Sequence, residues 1–131
     1  MERAASRVGS GIHRSQRLRR GREIQSLFER GNRRATECFV ALWCRAGGSR
    51  RVGFAVGRRV GGAVARNRVR RRLREAYRYL QDIHPDETEI MFVGRPSAST
   101  MPFRDLVAEM RHVLTALSEV RSADAARDRR S

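Results

Sequence analysis

The sequence contains no lysine, only two cysteines and few aromatic residues, and each shortage excludes a class of protein. All 29 positive side chains among the 131 residues are arginine, against 14 acidic residues, so the formal charge is +15. Two cysteines are too few for a disulfide-stabilised scaffold. No apolar run approaches the roughly 20 residues that a membrane-spanning helix needs. Residues 1–14 lack the hydrophobic segment of a secretory signal, so we expect a reducing cytoplasm and no membrane association.

Arginine is abundant, and its distribution along the chain is uneven. Residues 15–80 have a net charge of +15, whereas residues 81–120 have a net charge of −4. A surface that is merely solvated mixes both signs, so the basic half is predicted to bind a polyanion. The flanking residues 1–14 and 121–131 lack apolar periodicity, and we expect them to be disordered arms around one domain at 15–120.

Hydrophobic periodicity predicts helices that alternate with strands. The predicted helices are 21–31, 63–80 and one capped by Thr100 with Pro102 in its first turn, and the predicted strands are 36–44, 51–56 and 89–93. In the strand 36–44, Phe39 and Trp43 share one face and Leu42 lies on the other. Cys38 and Cys44 are expected on one face about 20 Å apart, too far to bridge. This order of elements indicates an α+β fold with helices packed on a small sheet.

Two of the predicted helices have an apolar stripe that would face the core. In the helix 63–80 the stripe consists of Val69, Leu73, Ala76, Tyr77 and Leu80. In the final helix it consists of Leu106, Val107, Met110, Val113, Leu114 and Leu117.

The other side of the helix 63–80 is strongly basic. Seven arginines lie there, counted from Arg66 to Arg78 inclusive. Arg66, Arg70, Arg74 and Arg78 form a row with steps of about 6 Å, close to the spacing of phosphates along a nucleic-acid strand. Seven like charges on one helix repel each other, and Glu75 alone offsets little of this. The density therefore favours a bound polyanion over a solvated face. The spacing leaves the role of Asn67 open: it could cap the helix locally, or it could donate to a backbone group or to a base or ribose edge.

These segments resemble the bacterial ribonuclease P protein component. The resemblance rests on Arg66-Asn67-Arg68 followed by Arg74-Glu75, on the strand and turn from Arg51 to Gly61, and on Ile90 to Pro96. It extends from Leu18 to Leu117. It implies a small mixed sheet of about four strands with three helices in the order α-β-β-β-α-β-α, and a left-handed crossover through the arginine-rich helix. The domain at 15–120 would then be a single RNA-binding domain.

The resemblance also implies a function. The protein would be the subunit of an endoribonuclease that promotes removal of the 5′ leader of precursor tRNA. The RNA subunit would carry the chemistry and hold the magnesium, and the protein would contribute no catalytic residue. The protein alone is expected to be a monomer in the cytoplasm.

Two sets of binding residues follow from the resemblance. The catalytic RNA is expected to contact Arg66, Asn67, Arg68, Arg70, Arg71 and Arg74. The leader is expected in a cleft formed by Ile24, Phe28, Phe39, Leu42 and Trp43, with Arg58 and Arg59 holding phosphates nearby. Ile24 and Leu42 stand where the family often has aromatic residues, so aliphatic packing and arginine stacking are expected to replace part of the aromatic contact. Phe28 fits the cleft and an ordinary core equally well, whereas Phe54 is expected in the core.

Other functions have weaker support. A plain RNA-binding module of the RRM type is an alternative, because Arg51 to Val56 loosely resembles its aromatic strand. That domain, however, opens with a strand and carries paired aromatics, whereas this chain opens with a helix and is only 6% aromatic. No helix-turn-helix or zinc pattern indicates a duplex DNA binder, and Cys38 and Cys44 lack the short spacing of a structural zinc site.

Overall fold

The computed structural model describes residues 21–48 and 50–130, and the side chains of 25–48 and 50–120. The elements follow the predicted order α-β-β-β-α-β-α. They are α1 (Gly21–Arg30), β1 (Asn32–Ala35), β2 (Phe39–Arg45), β3 (Val52–Val56), α2 (Ala63–Arg78), β4 (Thr88–Gly94) and α3 (Phe103–Arg130). Short 3-10 turns occur at Arg58–Val60, Gln81–Ile83 and Pro96–Ser99. The arm predicted at 1–14 lies outside the described residues.

The sheet is mixed and has the strand order β1-β2-β4-β3. β2 pairs antiparallel with both β1 and β4. β3 pairs parallel with β4, and the chain passes from one to the other through α2. β4 lies inside the sheet and is buried along nearly its whole length, as expected for a strand covered on both faces. This crossover places the arginine-rich helix directly against the sheet, while the left hand of the crossover stays a prediction.

The predicted strand 36–44 was wrong at its start, because Thr36 forms a turn between β1 and β2. The hydroxyl oxygen of Thr36 accepts hydrogen bonds from the backbone N–H groups of Cys38 (3.3 Å) and Phe39 (3.1 Å). These bonds hold the backbone in a turn, a common role of threonine hydroxyls, and β2 begins only at Phe39. Periodicity did not locate β1, the additional strand that the resemblance implies, since its four residues are all exposed and show no apolar alternation.

Side chains that alternate along the strands divide the interior into two clusters, one on each face of the sheet. The larger cluster lies under α2 and α3 and contains Phe39 and Phe92. The smaller cluster lies under α1 and consists of Leu27, Leu42 and Met91.

The two cysteines lie in different clusters, so the prediction that they share a face was wrong. Cys38 belongs to the larger cluster, whereas Cys44 packs against the smaller one. Strand alternation does not apply to Cys38, because it precedes β2 and lies in the Thr36 turn. Burial raises the pKa of the Cys38 thiol to about 12, and the thiol donates a hydrogen bond to Glu109 Oε1 at 3.2 Å. Both cysteines are free.

The apolar stripe of the arginine-rich helix is confirmed. Val69, Leu73, Ala76 and Tyr77 are buried within α2, and Leu80 is buried in the turn that follows. The helix begins at Ala63 as predicted and ends at Arg78. The face opposite the stripe is therefore directed away from the core.

α3 has the predicted apolar stripe but different ends. Its buried residues are Leu106, Met110, Val113, Leu114 and Leu117, with Val107 packed at the edge of the cluster. The predicted cap at Thr100 was wrong: the carbonyl of Pro102 accepts the first helical hydrogen bonds, from the N–H groups of Asp105 (2.9 Å) and Leu106 (3.2 Å). A residue before proline is disfavoured in helical conformation, so the helix cannot easily begin earlier than Pro102.

The C-terminal part of α3 also differs from expectation. The helix continues to Arg130, where a disordered tail was predicted at 121–131. The three alanines between 123 and 126 have high helix propensity and explain the extension. Within the part of the chain that the structure describes, no helix combines the length and apolarity needed to cross a bilayer.

Candidate nucleic-acid interface

The face of α2 that points away from the core presents the predicted arginines. Asn67, Arg68 and Arg71 are exposed, and Arg66, Arg70 and Arg74 are partly exposed at the sides of the helix. The helix is fixed to the core by Val69 and Leu73, both 0% exposed. The structure therefore gathers all six residues of the predicted set on one rigid element.

Two other arginines of α2 are engaged in intramolecular contacts. Arg72 donates hydrogen bonds to the carbonyls of Ala98 (2.7 Å) and Met101, and so ties α2 to the chain that leads into α3. Burial lowers the pKa of the Arg72 guanidinium, and the charge of Arg68 lowers it further. Arg78 Nη1 donates to both carboxylate oxygens of Glu75, at 2.9 and 2.8 Å. Arg72 is thus a structural residue of the helix.

The structure excludes one interpretation of Asn67, that of a helix cap. The N-cap of α2 is Gly62, so Asn67 is not the helix cap. Its Oδ1 accepts a hydrogen bond from Arg70 Nη1 at 2.8 Å. Oδ1 is the only acceptor of the side chain, so the exposed amide has two N–H bonds to offer beside a guanidinium. That arrangement suits a base edge, a ribose or a phosphate oxygen.

Arg74 is positioned by an aromatic ring. Its Cζ lies 6.0 Å from the centroid of the Phe54 ring, within the range of a cation–π contact. Phe54 stacks on Phe92 at 6.0 Å and meets Tyr77 edge-on at 5.7 Å, so it packs against the core as expected. The guanidinium is therefore held over a rigid platform at the edge of the sheet.

A second, apolar surface lies on the other face of the sheet beside α1. Leu27 is 1% exposed and covers Leu42 and Met91. The next row across the strands is Val40, Val93 and Ala55, which are paired in register and only partly buried. Phe28 stands beside Leu27 with 51% of its surface exposed. We call Phe28 together with Val40, Val93 and Ala55 the apolar strip.

The predicted leader cleft is only partly brought together. Phe28 and Leu42 lie on the α1 side, although Leu42 is buried at 4% exposure beneath Leu27. Phe39 and Trp43 lie on the opposite face; Phe39 is 0% exposed and meets Phe92 edge-on at 5.2 Å. The two predictions were wrong because alternation along β2 gives odd and even residues to opposite faces.

The remaining predicted residues are placed as follows. The side chain of Ile24 lies outside those that the structure describes. Arg58 and Arg59 are exposed in the turn after β3, a few residues beyond Ala55 of the apolar strip. The sequence analysis did not assign Val40, Val93 and Ala55 to the site. The signal for Val40 was its position two residues from Leu42 along β2, whereas Val93 and Ala55 join it only through the register of the sheet.

Comparisons with known proteins agree on one family. A family model described as Ribonuclease P matches residues 12–118. The ribonuclease P protein component of Brevibacillus brevis is 30% identical over 114 residues, which cover 86% of this chain and 90% of that protein. The counterpart from Symbiobacterium thermophilum is 41% identical over 92 residues, covering 69% of this chain and 80% of that protein. The solved structure of the ribonuclease P protein from Thermotoga maritima superimposes with a TM-score of 0.68 at 28% identity, covering 76% of this chain and 96% of that one.

Proposed function

Since the chain belongs to the ribonuclease P protein family and so takes part in processing the 5′ end of tRNA, we propose that it binds the catalytic RNA through α2. The observation that carries this proposal is the basic face of α2. Arg66, Arg68, Arg70, Arg71 and Arg74 project from a helix whose other side is locked into the core. A rigid row of guanidinium groups matches the phosphates of folded RNA by shape and charge, without reading sequence.

We propose that the apolar strip receives the single-stranded 5′ leader of precursor tRNA. An unpaired strand offers base faces, which stack on exposed rings such as Phe28 and lie on small apolar side chains. Val40, Val93 and Ala55 form a row across three strands on the face of the sheet that α1 covers, and Arg58 and Arg59 follow at the end of β3. Phosphates of a strand lying along the row would meet these two arginines.

The chemistry is assigned to the RNA subunit in this proposal. Within the described residues, no three His, Cys, Asp or Glu side chains are close enough to form a metal site. Magnesium prefers a partial water shell with phosphate oxygens, which a folded RNA supplies. The protein's part is to position the substrate and to neutralise phosphate charge, as a cytoplasmic monomer that assembles with the RNA.

Reconstitution tests the proposal directly. Purified protein, catalytic RNA and precursor tRNA are combined at low magnesium, and cleavage of the leader is followed for substrates whose leaders differ in length. The protein should accelerate cleavage with the RNA present and do nothing alone, and the benefit should rise with leader length until the strip is filled. Cleavage by the protein alone, after rigorous removal of contaminating nucleases, would overturn the assignment of chemistry to the RNA. A plain RNA-binding module would bind RNA without accelerating leader removal.

A further inference from the structure

Tyr79 is a large aromatic side chain that the fold leaves exposed to solvent. It is the C-cap of α2 and is 66% exposed, whereas Tyr77, two residues earlier, is 4% exposed in the core. An aromatic ring stabilises a fold mainly by being buried, so a ring with this much exposed surface contributes little to the fold. The uses proposed so far for α2 and for the apolar strip do not involve it.

A second ring supports Tyr79 from the side. The Phe103 ring lies 6.2 Å from it, centroid to centroid, with an angle of 67° between the planes. Phe103 is the first residue of α3 and packs against the larger core cluster, so it is fixed in place. The edge-to-face contact leaves most of the Tyr79 ring accessible and limits its rotation.

Exposed arginines lie on both helices that carry this pair of rings, although Asp105 directly follows Arg104 in α3. Arg71 is exposed two helical turns before Tyr79 on α2, and Arg104 is exposed beside Phe103 in the first turn of α3. A cation in the first turn of a helix is disfavoured by the helix dipole, so Arg104 is not placed there to stabilise α3. Glu75 is the nearest acid along α2, and it already forms an ion pair with Arg78 at 2.8 Å.

We propose that Tyr79, backed by Phe103, is a stacking platform for one unpaired base of the catalytic RNA, with Arg71 and Arg104 on the flanking phosphates. The inference rests on the proposed function, because it extends the RNA contact of α2 to the end of that helix. Every base has a π face, so a tyrosine between two arginines favours an unstacked nucleotide of any sequence.

The catalytic RNA is the expected source of this base. Tyr79 and Phe103 belong to the side of the sheet that carries α2 and α3, whereas Phe28 and the apolar strip lie on the α1 side. A leader bound along the strip would therefore lie across the sheet from Tyr79. RNA bound along α2 needs only to continue past Arg71 to reach the ring.

Affinity measurements with three variants test the platform. The dissociation constant for the catalytic RNA alone, without precursor tRNA, is measured for the wild type and for Tyr79→Ala, Tyr79→Leu and Tyr79→Phe. Loss of one stacked base corresponds to an affinity about 5- to 150-fold weaker for Tyr79→Ala. Tyr79→Leu should show nearly the same loss, because leucine lacks a π face, whereas Tyr79→Phe should retain binding. Thermal denaturation checks that all three variants fold, which is expected at so exposed a position.

A fluorescence experiment reports the contact itself. Trp43 is the only tryptophan, so the double variant Trp43→Phe, Tyr79→Trp carries its single tryptophan at the platform. Its emission should be quenched when the catalytic RNA is added. The matched control is Trp43→Phe, Val120→Trp, with the probe at a partly exposed position far along α3, and it should keep its emission.

The outcomes separate the two proposals. If the wild type itself does not bind the catalytic RNA, the proposed function fails. If the wild type binds and Tyr79→Ala or Tyr79→Leu binds equally well, only the platform is refuted. A loss that arises solely when precursor tRNA is present would also refute it, because the base would then come from the substrate.

Discussion

His84 is a buried residue that joins α2 to β4 at a position sensitive to protonation. It is 3% exposed, and its Nε2 lies 2.8 Å from the carbonyl oxygen of Thr88. A carbonyl only accepts, so Nε2 carries the hydrogen, and Nδ1 accepts the hydroxyl hydrogen of Tyr77 at 2.7 Å. Burial lowers the pKa of His84 below its ordinary 6.5, and the neighbouring charge of Arg50 acts in the same direction.

This network predicts how stability depends on pH. The unfolded chain takes up a proton on His84 near pH 6.5, whereas the folded chain resists it until a lower pH. The stabilisation that neutral His84 contributes is therefore fully present above about pH 6.5. As the pH falls below that value, the free energy of unfolding decreases by up to about 1.4 kcal/mol per pH unit. Chemical denaturation between pH 7.5 and 5 measures this slope. His84→Gln should flatten it, while the exposed His112→Gln should leave it intact; equal slopes in wild type and His84→Gln would contradict the prediction.

Phe28 is the residue whose substitution best separates binding from folding. Its ring is 51% exposed, whereas its neighbour Leu27 holds α1 on the sheet. We expect Phe28→Ala to weaken binding of leader-bearing precursor tRNA to the holoenzyme by about tenfold, the value of one lost stacking contact. Binding of a substrate without a leader should hardly change. Equal losses for both substrates would mean that Phe28 does not contact the leader.

At the scale of elements, the position of α2 depends on the absence of a side chain at Gly94 in β4. A Cβ atom there would lie 2.4 Å from Val69 Cγ1 and 3.1 Å from Leu73 Cδ1. Both residues are fully buried in the stripe that fixes α2 to the sheet. The close approach of α2 to β4 thus depends on glycine at position 94, and this approach fixes the distance between α2, with its arginine face, and the sheet.

Gly94→Ala should therefore push α2 away from β4. We expect a loss of about 1–3 kcal/mol in the free energy of unfolding, typical of overpacking in a core. Gly47→Ala is the matched control, since no atom lies within 4 Å of a Cβ built at Gly47 and its φ is not positive. Thermal denaturation of the two variants compares them. A Gly94→Ala protein as stable as the control would show that α2 is free to shift.

The elements also show what the sequence could and could not predict. The apolar stripes of α2 and α3 follow a helical period over several turns, so their core residues were identified correctly. β1 has no such pattern, because an exposed edge strand is fixed by its partner and not by its own side chains. The faces of β2 were assigned correctly, yet Phe39 and Trp43 were still placed with Phe28, because which face α1 covers is a tertiary property.

At the scale of the whole molecule, the uneven charge along the chain is divided among the elements of the fold. α2 comes from the segment with a net charge of +15, and β4 and most of α3 come from the segment with −4. The sequence predicted the basic face of α2 because this helix is one continuous element. It could not predict which arginines are engaged inside the fold, since the partners of Arg72 are backbone carbonyls 26 and 29 residues away.

The basic face of α2 predicts a steep dependence of RNA affinity on salt. Each phosphate that an arginine neutralises releases condensed counterions, so about five contacts give a log–log slope of roughly −3 to −5. Titrations of the catalytic RNA between low and physiological salt measure it. Arg71→Ala should reduce the slope by about one, because this exposed residue of α2 would contact one phosphate. Arg111→Ala removes the same charge from the acidic segment and should leave the slope as it is. A wild-type slope near zero would contradict the phosphate contacts, whereas equal effects of the two variants would indicate that net charge, and not the α2 face, attracts the RNA.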